Sequence, residues 1–117
     1  MNLILLIATV ACIAANLGMA VADYVRAPFV LANSAEVGLP SALLPYLATL
    51  KLAGAAGLVI GLLGAHPLGL AAGVGLIAFF IGAVIAHIRA RVFYNIAFPG
   101  AFLALAAAST AFFAGKV

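Results

Sequence analysis

LATLKLAGAAGLVIGLLG, residues 47–64, is apolar enough to reside in a bilayer, yet it carries Lys51 with no acidic residue within fourteen positions on either side. About 20 apolar residues in a helix rising roughly 1.5 Å per residue cross the hydrocarbon core of a membrane. With its flanks the run extends from Ala42 to Gly64 and meets that requirement. The whole chain is of the same kind: 117 residues, 69% hydrophobic and 6% charged, with a mean hydropathy of +1.42. A soluble domain carries about 25% charged residues to cover its surface, so this chain faces lipid. It is expected to form one integral membrane domain over residues 1–117, too short to hold a soluble catalytic module beside its helices.

Three further runs qualify as spans: Leu3 to Ala22, Pro67 to Ile88 and Ala97 to Ala114. The expected architecture is therefore all-α, a bundle of four transmembrane helices. The first connection, DYVRAPFVLANSAEVGLPS (23–41), holds two prolines, a glycine and three of the seven charges. It suits a long loop or a short helix lying in the membrane interface. GAHP (64–67) reads as a tight turn with Pro67 where a helix tolerates a missing N–H. RARVFYN (89–95) forms the third connection, and Pro99 falls in the first turn of the last helix. Ala20-Val21-Ala22 resembles a signal-peptide cleavage site, but no Lys or Arg precedes the apolar run, so the segment is expected to stay as a span.

Four spans put both termini on one side and the first and third connections on the other. Arg26, Arg89 and Arg91 lie in or beside those connections, and the positive-inside rule then places them in the cytoplasm. A net charge of +3 from so few residues is no nucleic-acid footprint. Cys12 is the only cysteine, so neither an intrachain disulfide nor a CxxC pair can form.

Lipid tails supply little hydrophobic push between helices, so small residues that let backbones approach are expected to hold the bundle together. Ala53, Gly57 and Gly61 recur at spacing four, as do Gly69 and Gly73, Ala104 and Ala108, and Ala107 and Ala111. These stripes also leave homo-oligomers open. On the first span Thr9, Cys12, Asn16 and Asp23 share a face that should look into the bundle. Asn16 either hydrogen-bonds a neighbouring helix, worth about 0.6–2 kcal/mol, or contributes to a ligand site.

Lys51 lies about 12 Å below the start of its helix, roughly 120° around from the glycine stripe, on the side of Leu44, Ala55 and Leu58. A bare ammonium at that depth costs at least about 2.5–3.5 kcal/mol, so it must snorkel, pair or lose its proton. Snorkelling toward the loop side brings it level with Asp23, leaving a structural pair and a functional group both open. His87 ends the third span on the same side, with Arg26 and Tyr94 nearby, as an interfacial cap or as an acid or base working near neutral pH. His66 and His87 would lie about 31 Å apart on one helix, which excludes a shared haem. No metal-ligand spacing is present, and no GxSxG, HExxH or phosphate loop.

VGLPSALLPYLATLKLAGAAGLVIGLLG (37–64), HPLGLAAGVGLIAFFIGAVIAHIRAR (66–91) and Pro99 opening an alanine-rich last helix together resemble the DoxX-like family of small four-helix bacterial membrane proteins. The order GLP, LKxAGAxGL, GAxxAHxRA carries the resemblance over residues 37–117, with a looser fit in the first helix. It implies a multi-pass protein of the cell membrane. Relatives named DoxX are associated with membrane-bound redox assemblies, DoxD proteins resemble a subunit of a thiosulfate:quinone oxidoreductase, and some distant eukaryotic relatives act as membrane chaperones. The positions matching the family pattern are Lys51, Gly54, His87 and Arg89. Many members carry an aspartate soon after HxRA; Val92, Phe93 and Tyr94 stand there in this chain, so no acid-base role is expected of that loop.

The leading expectation is a small membrane subunit or assembly partner of a redox system, contacting quinone or lipid on the loop side, with a redox protein as its partner. Its ligand-binding candidates are Asn16, Arg26, Arg89, Arg91 and Tyr94. The alternative is a membrane enzyme that moves protons to a lipophilic substrate through Asp23, Lys51 and His87. A small proton-coupled transporter comes third, because no carboxylate lies well inside a span. A loop-side pocket lined by Asp23, Lys51 and His87 would favour the enzyme, and a solid bundle with Lys51 merely paired would favour the subunit.

Overall fold

The four apolar runs become four long helices in a computed structural model that describes residues 2–117. Helix α1 spans Leu3–Tyr24, α2 Pro28–Glu36, α3 Leu44–Leu62, α4 His66–Arg89 and α5 Ala97–Ala114, with a short 3-10 turn Ser41–Leu43 leading into α3. All except α2 are long and apolar enough to cross a membrane. The longest dimension, 41 Å, is close to the ~40–45 Å of a bilayer with its headgroups. The first connection folds its middle into α2, and α1 runs two residues beyond the expected Ala22 to Tyr24.

The helix ends follow from local chemistry. The Asn2 side chain accepts from the Leu5 N–H at 3.1 Å and caps α1. Pro67 occupies the first turn of α4, and Pro99 that of α5, where an N–H would have no intrahelical partner. Gly38 and Gly64 take positive φ after α2 and α3. Arg26 (φ 52) and Arg91 (φ 57) do the same after α1 and α4. In the last two cases the next N–H reaches back five residues, Ala27 to Ala22 at 3.0 Å and Val92 to His87 at 2.9 Å, closing a Schellman turn. Arginine bears a steric cost in this conformation that glycine does not, and a cation following a helix C-terminus is favoured by the dipole.

In the ring of spans α1 packs on α3 and α5, and α4 packs on α3 and α5. The chain is inside-out relative to a soluble protein. Thr9, Asn16, Asp23, Lys51, His87 and Ser109 are buried, while Ile4, Val21, Leu63 and Val74 lie exposed. On α1 the buried residues are Thr9, Cys12, Asn16, Ala20 and Asp23, the face expected from their spacing.

Helix α3 buries two faces: Leu44, Ala48, Lys51, Ala55 and Leu58 on one, Gly57 and Gly61 on the other. The glycine face meets α4 at backbone distance. A Cβ on Gly61 would stand 2.5 Å from the Gly69 Cα, and one on Gly57 would stand 2.6 Å from the Ala72 Cβ. Three of the expected small-residue stripes are corrected. Ala53 is exposed, and Gly54, against Leu76, takes its place in the contact. Ala104, Ala107 and Ala111 are also exposed, while α5 buries Pro99, Ala106, Ser109, Phe112 and Phe113. Alanine is indifferent between lipid and a helix neighbour, and the larger Phe113 fills the space beside Gly61 and Gly69 instead.

Candidate functional site

Between α2 and the loop-side halves of α3, α4 and α5 lies a partly open cleft of about 860 Å³. Its walls are mostly apolar, formed by residues such as Leu47, Phe79, Phe80 and Phe102, and its polar lining includes Asp23, Lys51, His87 and Tyr94. Of the candidate residues, these four come together around one space. Asn16, Arg26, Arg89 and Arg91 do not line it.

Lys51 reaches up from α3 and donates from Nζ to Asp23 Oδ2 at 2.6 Å, the two side chains 10% and 3% exposed. Its ammonium also lies 5.4 Å from the centroid of the Phe79 ring, a cation–π distance. One residue on, a second link joins the same helices: Tyr24 Oη and Thr49 Oγ1 are 2.7 Å apart. Thr49 gives its proton to the Pro45 carbonyl at 2.7 Å, so Tyr24 is the donor. The end of α1 is thus fixed to the first turns of α3, and the ion pair is held at the inner edge of the cleft.

His87 is 4% exposed, and its Nδ1 lies 2.9 Å from the Ala83 carbonyl. A carbonyl only accepts, so Nδ1 carries a proton, and in the neutral ring Nε2 is then the acceptor. His66 occupies the opposite end of α4, tilted against Phe113 at 6.4 Å.

Helix α2 closes one side of the cleft and is held by the connection between α4 and α5. Tyr94 donates to Glu36 Oε1 at 2.6 Å, and Asn95 Nδ2 donates to Asn33 Oδ1 at 3.1 Å. The Glu36 carboxylate, first through this hydrogen bond and then through desolvation and its charge, raises the Tyr94 phenol above its ordinary value. Asn95 Oδ1 is buried with no partner among the described residues, and Asn95 lines the cleft. An orphaned acceptor at the wall of a cavity suits the hydroxyl of a ligand. Asn33, Glu36 and Asn95 were not singled out from the sequence. The spacing of Asn33 and Glu36 by three, on one face of a short helix, is the signal that was there to read.

Asn16 is fully buried in α1, where Nδ2 donates to the Cys12 carbonyl at 2.9 Å and Oδ1 has no partner among the described residues. Arg26, Arg89 and Arg91 are exposed on the loop side. Among the described residues no three His, Cys, Asp or Glu side chains come together as metal ligands.

The sequence pattern of the DoxX-like family matches residues 7–109. The chain belongs to the DoxX-like family. As a member of it, with four helices able to span the bilayer, it is a multi-pass membrane protein. No curated protein and no solved structure matches it. In this DoxX-like protein the family words LKxAGAxGL and GAxxAHxRA place Lys51 and His87 at the same cleft, with Gly54 packed on Leu76 behind them.

Proposed function

We propose that this protein is a small membrane subunit of a redox system that binds the polar head of a quinone-like lipophile in the loop-side cleft and works beside a redox partner protein. One observation carries the reading: a largely apolar cleft, opening between membrane helices, holds a few convergent polar groups, Asp23, Lys51, His87, Tyr94 and Asn95. Ligand sites are typically of this size and composition, about 300–1,000 Å³ and mostly apolar, with a small number of groups that fix orientation. His87 Nε2 is an acceptor and the Lys51 ammonium a donor, so a ring carrying a carbonyl or a hydroxyl finds partners for either. Because Lys51 is already engaged by Asp23, the arrangement favours binding over proton abstraction by a free amine.

The chain contains three tyrosines and no tryptophan, and of the three only Tyr94 lines the cleft, so the difference in tyrosine emission between the protein and its Tyr94→Phe variant reports on a quinone there. Titrating a short-tailed benzoquinone into the protein in nanodiscs is expected to give saturable quenching. His87→Ala should weaken it about tenfold, the loss of a hydrogen bond worth ~1.4 kcal/mol. Quenching that rises linearly and equally in both proteins, as from quinone dissolved in the lipid, would overturn the reading.

A second reading, proton transfer to a lipophilic substrate, draws on Asp23, Lys51 and His87 lining the same cleft. Turnover that stops in His87→Ala while binding persists would favour it.

A further inference from the structure

A second hollow of about 490 Å³ opens on the lipid-facing side of α3 and α4. Leu50 and Phe79 belong to its walls and also to those of the cleft, so the two spaces adjoin at that pair. Beyond it the hollow is lined entirely by apolar residues and is floored by small ones, Gly57, Ala71, Ala72 and Gly75. It runs from Phe79 toward Leu68, about 16 Å along α4 by helix rise, away from the loop side. Gly57 and Gly54 turn their backbones to α4, and this close approach is what makes the groove shallow-walled. At Gly75 a Cβ would meet nothing within 4 Å, so no packing contact requires glycine there, whereas a side chain would project into the groove.

Resting on the binding reading above, we infer that the groove is the track for the tail of the same ligand: a single-tailed amphiphile seats its head in the cleft, passes between Leu50 and Phe79, and lays its chain along the α3–α4 groove. Continuity with the cleft names the occupant. The passage at Leu50 and Phe79 joins the groove to the polar end of the cleft, which matches an isoprenoid quinone, one polar ring on one tail. Lipid already solvates such a tail, so the groove gains by close van der Waals contact and by fixing the chain's direction rather than by removing it from water. That direction holds the head in register with Lys51 and His87.

Two photoreactive benzoquinones test this, both with the same isoprenoid tail, one bearing a diazirine beside the ring and the other at the tail's end. Each is bound to the full chain in nanodiscs, competed with excess unlabelled quinone, and the labelled peptides are mapped. The ring-side probe is expected on residues around 82–87 and 94–95. The tail-end probe is expected on 53–57 and 71–75, several-fold over other lipid-facing segments. Gly75→Leu, which strengthens the helix intrinsically and whose Cβ meets nothing within 4 Å, should cut the tail-end label several-fold and leave ring-side labelling unchanged. Ring-side labelling in place with tail-end label scattered over all lipid-facing helices, or unaffected by Gly75→Leu, overturns the groove alone. Ring-side labelling absent from the cleft overturns the binding reading and the groove with it. A groove that excludes the tail while two copies cross-link through Ala71→Cys overturns it in favour of a second chain.

Discussion

Lys51 Nζ stands 2.6 Å from Asp23 Oδ2, joining the middle of one span to the end of another with both side chains almost wholly buried. A buried pair repays its desolvation only while both members are present. Lys51→Met alone leaves an uncompensated carboxylate and is expected to lower stability by about 3–5 kcal/mol, whereas Lys51→Met with Asp23→Leu should recover most of that loss. Thermal unfolding in detergent, run on both single variants and the double, measures the coupling. Additive losses would show that the pair contributes no mutual stabilisation.

The contact of α3 with α4 makes a graded prediction. A methyl at Gly61 would press on the Gly69 Cα, backbone that cannot swing aside, so Gly61→Ala should cost about 1–3 kcal/mol as overpacking. At Gly18 a Cβ meets nothing, and Gly18→Ala should be neutral or raise stability by up to about 1 kcal/mol through helix propensity. Equal effects at the two sites would contradict the packing described.

Asn16 presents the opposite case, since its Oδ1 is buried without a partner among the described residues. An unsatisfied buried acceptor costs about 1–3 kcal/mol, and an apolar group of similar shape removes that cost. Asn16→Leu is therefore expected to raise the unfolding temperature and, because Asn16 lies outside the cleft, to leave quinone quenching unchanged. A loss of ligand affinity would place Asn16 in the site.

The link from Tyr94 to Glu36 should read out in pH. The phenol's folded value is raised by the carboxylate, so the link is fully present below the ordinary phenol value of about 10 and disappears as pH climbs through the raised one. Phenolate absorbance should show one of the three tyrosines titrating late, and Glu36→Gln should bring its midpoint down. Tyr94→Phe should speed hydrogen exchange in α2 with little change in the unfolding temperature, because the contact is at the surface. Unaltered exchange would show that other contacts hold α2.

Much of this was legible in the sequence because a bilayer simplifies the choices. Thr9, Cys12, Asn16 and Asp23 had to face inward, since lipid offers them no partner, and they do. Lys51, alone in an apolar run, had to reach for charge on the loop side, and Asp23 was the carboxylate at that level. The glycines at 57, 61, 69 and 73 announced close packing, whereas the alanines of α5 carried no such information, being equally at ease against lipid. The tie between α2 and the last connection was hidden. Its partners lie 58 and 62 residues apart, with no local periodicity to pair them.

Native mass spectrometry of the protein released from its own membrane, comparing wild type with Gly82→Phe, shows whether the cleft holds a ligand. Gly82 lines the cleft, and a Cβ there meets nothing within 4 Å, so a side chain can start there without a clash and its ring takes up cleft space. The account predicts one bound single-tailed lipophile on the wild-type chain and its loss from the variant. A wild-type chain that flies bare, or a variant that keeps the same adduct at the same occupancy, would contradict it.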